Sequence, residues 1–239
     1  MDDKRYLNFL AKFGISSAHP GGMPLTKALL ETVPFQQTDR VLDIGCGTGE
    51  TSIYLAKQYG CEVIGCDLHP GMVAHARNHV AREQAPVQII QGDAEQLPFP
   101  ADSFDKIISE SVTVFTNIDL SLKEYKRVLK PGGVLIDLEM TAERPFSFQE
   151  EEEVKAVYGI ARVLTKLDWL EALYHVGFRR LNANTGNDFL RAEADLPNAS
   201  SFELTEGIDA EAFETWLSHI QLMEKYRSSL SYRIYTAVA

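Results

Sequence analysis

Three glycines at alternate positions, Gly45, Gly47 and Gly49, follow the apolar run Val41-Leu42-Asp43-Ile44 and lead into a helical pattern from Glu50. A strand that ends in glycines at a helix start leaves backbone N–H groups free and puts no Cβ between the main chain and a ligand. Two carboxylates flank this turn: Asp43 just before it, and Asp67 at the end of the next apolar run. In a doubly wound fold an acid at that second position accepts hydrogen bonds from both hydroxyls of a ribose, each worth roughly 1.5–3 kcal/mol. The chemistry implied is nucleoside binding. Dinucleotide sites use G-x-G-x-x-G to bring a pyrophosphate onto the helix N-terminus. Here Glu50 stands where that last glycine would be, and its negative charge disfavours a phosphate. A nucleoside without phosphates fits better, with a nucleotide-dependent oxidoreductase as the rival reading.

The elements that must position these groups alternate. Strands are expected over residues 41–44, 62–66, 87–91, 106–109 and 134–139, and helices over 50–59, 71–82 and 120–129. The strands are short and almost wholly apolar, as when helices cover both faces of a sheet. This βαβα rhythm predicts an α/β, doubly wound, mostly parallel sheet with right-handed crossovers. Two helices precede it, over residues 3–13 and 24–31, separated by the turn-rich Ser16-Ser17-Ala18-His19-Pro20-Gly21-Gly22. Afterwards the acidic run Glu150–Glu153 suits the solvated start of a helix. Thr165-Lys166-Leu167-Asp168 reads as a helix cap for residues 169–176, with Gly177 as the stop. Residues 179–184 suggest a sixth strand, 188–201 a long polar loop, and 210–227 a helix with Phe213, Trp216, Leu217, Ile220 and Met223 on one stripe. The alternating end, residues 232–238, reads as an edge strand.

Composition bounds the function. With 239 residues, 45% hydrophobic and 24% charged, the chain has the make-up of a soluble globule: one domain with insertions, or one with a small cap. No apolar run approaches the ~20 residues that cross a bilayer. The start, Met1-Asp2-Asp3-Lys4-Arg5, lacks the apolar core of a signal peptide, so a cytoplasmic location is expected. A net charge of −11 argues against a nucleic-acid partner and for a small molecule or protein. The three cysteines, Cys46, Cys61 and Cys66, lack framework or CxxC spacing and read as reduced, buried thiols. His69 and His75 read as surface or helix-face residues, and no pair of histidines suggests a metal site.

The segment Val41–Gly49 resembles the first motif of class I S-adenosylmethionine-dependent methyltransferases. The resemblance continues through Val63-Ile64-Gly65-Cys66-Asp67-Leu68, Gln91–Phe99, Ser103–Ile108 and Arg127–Gly133, in the family's order and spacing, and covers residues 39 to 140. Trp169–Phe178 is similar to a later helix of the type 11 branch, which includes the ubiquinone and menaquinone biosynthesis methyltransferases. The resemblance implies a Rossmann-like sheet of seven strands with the last antiparallel, and S-adenosyl-L-methionine as cofactor. It also implies a single domain: an N-terminal helical lid over 1–36, a cofactor-binding core over 37–140, and a C-terminal sheet half with helical cap insertions over 141–239. Gly45, Gly47, Gly49 and the backbone of Cys46 would lie along the methionine part, with Asp43 supporting the turn. Asp67 would take the ribose hydroxyls, and Leu68 would pack on adenine. Asp93 and Ala94 would meet the adenine edge, and Ser111 would lie near the sulfonium. Met72 reads equally as adenine pocket or helix core.

The implied reaction is methyl transfer to a small-molecule acceptor, with a non-catalytic cofactor-binding regulator as a further rival. Alignment of the reactants supplies most of the rate, worth up to ~7–11 kcal/mol. A base is required only when the acceptor loses a proton during attack. His19 and Glu110 are the candidates, although His19 also suits a plain turn and Glu110 a solvent-facing strand end. Many type 11 relatives carry His-His where this chain has Phe115-Thr116. With Val112, Val114, Phe146, Phe148 and Tyr158, the acceptor side reads as apolar and aromatic, or these are core residues. Oxygen, nitrogen, sulfur and carbon acceptors all occur on this fold.

Overall fold

The computed structural model describes residues 5–13, 19–189 and 209–239. Its order is α1 (Arg5–Phe13), α2 (Gly22–Glu31), β1 (Arg40–Ile44), α3 (Glu50–Tyr59), β2 (Glu62–Asp67), α4 (Pro70–Glu83), β3 (Val87–Gln91), β4 (Phe104–Glu110), α5 (Ile118–Val128), β5 (Leu129–Ala142), α6 (Phe148–Tyr158), α7 (Lys166–His175), β6 (Arg179–Asn184), α8 (Ala210–Lys225) and β7 (Leu230–Val238). A short 3₁₀ turn over Thr113–Phe115 follows β4. The polar loop expected over residues 188–201 lies outside the described residues from residue 190 onward.

The seven strands form one sheet in the order β3-β2-β1-β4-β5-β7-β6. The first five are parallel, while β7 runs antiparallel to both β5 and β6. The terminal strand is therefore not an edge. It is inserted between two neighbours, and the alternation that suggested an edge is only the two-residue period of a strand with faces of different burial. The chain order reverses beside β1, whose neighbours are β2 and β4. Ligands of open α/β sheets bind at such a switch point, beyond the carboxyl ends of the strands.

Adjacent strand residues serve opposite cores. Leu42, Ile64, Ile107 and Leu135 join one core with Leu122 and Tyr125 of α5 and Trp169 and Leu173 of α7. Val41, Val63, Ile108 and Ile136 join the other, with Leu25, Leu29 and Leu30 of α2 and Leu55 of α3. The second helix of the expected N-terminal lid thus packs its leucines onto the sheet. β5 begins earlier than expected because Leu129 already pairs with Phe104. The next pair is Lys106 with Val134, so Pro131-Gly132-Gly133 bulges out, with Gly132 at φ +81°.

The helix ends follow local chemistry. Ser147 caps α6 in a capping box with Glu150, and Thr165 caps α7 in the same way with Asp168. His69, expected as a surface or helix-face residue, caps α4 by accepting the Gly71 N–H.

Gly65 on β2 shows how closely the layers meet. A Cβ there would lie 2.7 Å from Ile89 Cδ1, 2.9 Å from Ser52 Oγ and 3.0 Å from Cys46 Sγ. Gly65→Ala is expected to destabilise the chain by about 1–3 kcal/mol, as overpacking does. A urea titration of both proteins checks this, and an unchanged midpoint would contradict the close approach.

Candidate functional site

The glycine turn is built by main-chain bonds to β2. The Gly45 and Cys46 N–H groups both donate to the Cys66 carbonyl, at 2.7 and 3.1 Å. This folds the chain back sharply, and Gly45, Gly47 and Gly49 all adopt positive φ, at 65°, 52° and 80°. Glycine takes this conformation without the Cβ penalty. A Cβ at Gly47 would meet only the Gly45 carbonyl oxygen, at 4.0 Å, so the turn faces open space there. At Gly45 the space is instead occupied by Val112, whose Cγ2 would lie 2.2 Å from an added Cβ.

Asp67 is tied to this turn. One carboxylate oxygen accepts the Gly47 N–H at 2.9 Å, and the other accepts the His69 N–H at 2.8 Å. Burial raises its pKa, and these two N–H groups pull it back. Leu68 beside it is 51% exposed, a bare apolar surface next to the acid. Asp93 is exposed, accepting the Glu95 N–H at 2.9 Å, and Ala94 is buried behind it. Met72 is buried on the inner face of α4 with Val73 and Ala76. Asp43 lies beneath the turn and accepts the Ser52 hydroxyl from the first turns of α3. Its burial raises the pKa to about 8, with smaller contributions from Glu110 and Asp67.

Ser111 is in the left-handed region at φ +59°, its N–H donating to Leu138 at 2.7 Å. This redirects the chain off β4 into the 3₁₀ turn. A buried glutamate of β5 holds that turn. Glu139 accepts the N–H groups of Val112 and Thr113 on one oxygen, at 2.9 and 2.7 Å, and that of Val114 on the other, at 3.2 Å. Asp137, two residues earlier on the same face, accepts the Thr113 hydroxyl at 3.0 Å, and its second oxygen has no partner. Burial raises the pKa of both carboxyls.

His19 and Glu110 are brought together. Glu110 does not face solvent: its side chain is 9% exposed and lies 3.6 Å from His19 Nε2. Its two oxygens accept the hydroxyls of Thr26, at 2.6 Å, and Thr51, at 2.8 Å. His19 Nε2 lies 3.2 Å from the Thr26 hydroxyl oxygen, and Nδ1 lies 3.2 Å from the Pro20 carbonyl. The cluster joins the segment before α2 to the end of β4 and the start of α3. Thr26, Ser52, Thr51 and Glu139 carry no motif that marks them. Only Ser52, near enough in sequence for the following helix to return it under Asp43, offered a local signal.

Cys46, Cys61 and Cys66 are free and buried. Among the described residues, no group of three His, Cys, Asp or Glu side chains could hold a metal ion, and no helix is long and apolar enough to cross a membrane.

Residues 41–133 match a family model described as a methyltransferase domain. The chain is 33% identical to an uncharacterized methyltransferase, YodH, of Bacillus subtilis, over 98% of both chains. It is 39% identical to the ubiquinone/menaquinone biosynthesis C-methyltransferase UbiE of Nitrosospira multiformis, over 43% of each. In fold it is similar to phosphoethanolamine N-methyltransferase 2 of Haemonchus contortus, solved with phosphomonomethylethanolamine and S-adenosylhomocysteine. The TM-score is 0.77 at 22% identity, covering 98% of this chain and 57% of that one.

The raised Asp43 pKa has a sign. The folded chain holds this proton more tightly than the unfolded chain, whose carboxyl titrates near pH ~4. Its contribution to stability is therefore present at low pH and is lost as pH rises toward 8. Asp43→Asn keeps an acceptor for Ser52 and removes the titration. The fall in Tm between pH 5 and pH 8 is expected to shrink in the variant, by about 2–4 °C for each kcal/mol recovered. Parallel pH-dependent melting curves for the two proteins would reject the assignment.

Proposed function

Because this chain belongs to the class I S-adenosylmethionine-dependent methyltransferase family, we propose that the groups around its glycine turn hold that cofactor and that the acceptor is a small molecule. The chain is an enzyme that transfers a methyl group from S-adenosylmethionine. The cofactor brings its own activated methyl, and the leaving group is a neutral thioether.

The residues fit this molecule. The observation that carries the assignment is Asp67, whose carboxylate is braced against Gly47 and His69 at the edge of open space. Asp67 binds the ribose hydroxyls, and Leu68 covers one face of the adenine. Asp93 and the Ala94 amide meet the adenine edge, and Met72 backs this pocket from α4. Gly45, Cys46, Gly47 and Gly49 offer backbone to the methionine part, Asp43 supports the turn from below, and Ser111 lies toward the reacting centre.

His19 and Glu110 hold the segment before α2 against the end of β4. With both Glu110 oxygens already accepting threonine hydroxyls, the pair serves to close the methionine end rather than to remove a proton. In this reading the described helices α1 and α2, with α6 and α8 from the C-terminal part, cover the core over 37–140. A small acceptor is supported by relatives such as the phosphoethanolamine and ubiquinone/menaquinone methyltransferases. Action in the cytoplasm is supported by the free, buried thiols of Cys46, Cys61 and Cys66, since reduced cysteines suit that compartment.

Asp67→Ala is expected to weaken S-adenosylhomocysteine binding tenfold or more, about 1.4 kcal/mol. Isothermal titration calorimetry measures it, and equal affinity in the two proteins would remove Asp67 from the site.

A further inference from the structure

The loop between β3 and β4 carries Asp93 and Ala94, and its two ends are held by different elements. At its root the Gly92 N–H donates to the Asp67 carbonyl at 3.0 Å, and the Gln91 side-chain amide donates to the Leu68 carbonyl at 3.1 Å. The far end is held by two side chains of α5. Glu124 accepts the Leu97 N–H at 2.8 Å. Arg127 donates to the carbonyls of Phe99, at 2.7 Å, and Leu97, at 3.1 Å. The two side chains also bind each other through both Glu124 oxygens, at 2.7 and 2.6 Å. Midway, Glu95 accepts the Asn117 N–H just ahead of α5, at 2.8 Å.

An ion pair three residues apart on a partly exposed helix face adds little to stability. This one fixes geometry instead. The planar guanidinium places donors on a carboxylate and on two main-chain carbonyls at once, which an ammonium point charge does not reproduce. The Arg127 hydrogen bonds hold the Glu124 carboxyl below its usual pKa, so at neutral pH it stays an acceptor for Leu97.

Between root and clamp the chain reverses over Asp93–Gln96. The Gln96 N–H donates to the Asp93 carbonyl at 3.0 Å, and the Glu95 N–H donates to Asp93 Oδ1 at 2.9 Å. Among the described residues, Asp93 Oδ2 and the Ala94 N–H have no partner. They are an acceptor and a donor on neighbouring residues.

We propose that Glu124 and Arg127 are positioning residues for base recognition: they set the loop so that this acceptor and this donor meet the amino group and the ring nitrogen of adenine together. The inference rests on Asp93 and Ala94 lying at the adenine edge.

Adenine presents a donor, its 6-amino group, next to an acceptor, N1. A 6-oxo base presents an acceptor next to a donor, so both contacts are mismatched and the groups of the site are left unpaired. Reading that difference needs the two protein groups fixed to within about 0.5 Å. A loop released from the clamp stays attached through Leu97, which is buried in the core. Its Asp93 and Ala94 are then free to tilt, and selectivity between bases is lost before binding is.

The test uses the full chain and two ligands, S-adenosylhomocysteine and its 6-oxo analogue S-inosylhomocysteine, titrated by calorimetry. The parent is expected to prefer the first about 100-fold, about tenfold for each mismatched contact. Arg127→Lys keeps the charge and loses the fork. It should bind S-adenosylhomocysteine about tenfold more weakly and the analogue within about twofold of the parent, so the preference falls to about tenfold. Glu124→Gln, which keeps an acceptor for Leu97, should give an intermediate preference. In Asp93→Ala the acceptor is already gone, and adding Arg127→Lys should weaken S-adenosylhomocysteine by less than about threefold, since residues that act through one another are not additive.

Equal weakening of both ligands by Arg127→Lys marks a generally loosened fold and overturns the inference. So does an unchanged preference, or a fully additive loss in the double variant. In each of these cases the preference of the parent, and with it the adenine edge, still stands. A parent that binds both ligands equally removes Asp93 and Ala94 from that edge and overturns both readings. If Arg127→Lys does not fold, Glu124→Gln decides on the same terms: a reduced preference supports the clamp and an unchanged one overturns it.

Discussion

The Cys66 carbonyl oxygen accepts two consecutive N–H groups, those of Gly45 and Cys46, and the rest of the site depends on this pair of bonds. It ends β1 by turning the chain across the end of β2, and only residues free to take positive φ can follow. Asp67, the next residue on β2, is thereby placed within reach of the Gly47 N–H. The turn, the acid and the start of α3 form one rigid unit in which Asp43 and Ser52 close the underside. A carboxylate partly spent on backbone donors before any ligand arrives is pre-aligned, which lowers the ordering cost of binding.

A second constraint governs the turn that follows β4. The chain leaves β4 through a left-handed Ser111 and is caught by Glu139, whose oxygens collect the three N–H groups of Val112, Thr113 and Val114. A buried carboxyl is expensive unless donors surround it. Here it does what a strand partner cannot: it satisfies a run of amides that have left the sheet. Val112 is thereby pressed into the space beside Gly45, so the turn after β4 and the glycine turn meet there. The unpartnered oxygen of Asp137 lies in this same buried layer.

Much of the fold was legible because its signals are local. Glu50–Tyr59, Val87–Gln91 and Arg179–Asn184 begin and end where periodicity and glycine punctuation put them. The capping boxes at Ser147 and Thr165 bond residues three apart. The last strand was misread as an edge because alternation reports burial of one face and carries no record of lateral neighbours. The early start of β5 was missed because a bulge at Pro131-Gly132-Gly133 looks like a turn between elements. Glu110 could be read as solvent-facing because its hydroxyl partners, Thr26 and Thr51, come from two separate helices.

By itself the sequence determined the glycine turn, the acids Asp43 and Asp67, and the alternation of strands and helices that sets them at one edge of a parallel sheet. These depend on φ preferences, charge and periodicity, which act between residues close in the chain. The tertiary structure alone decided where β7 inserts, that His19 and Glu110 share a cluster, and that Tyr6, Phe115, Tyr158 and His219 meet. Those meetings are set by how helices dock over the sheet to bury apolar surface. Docking of that kind is non-directional and leaves no spacing rule in the chain for the residues it brings together.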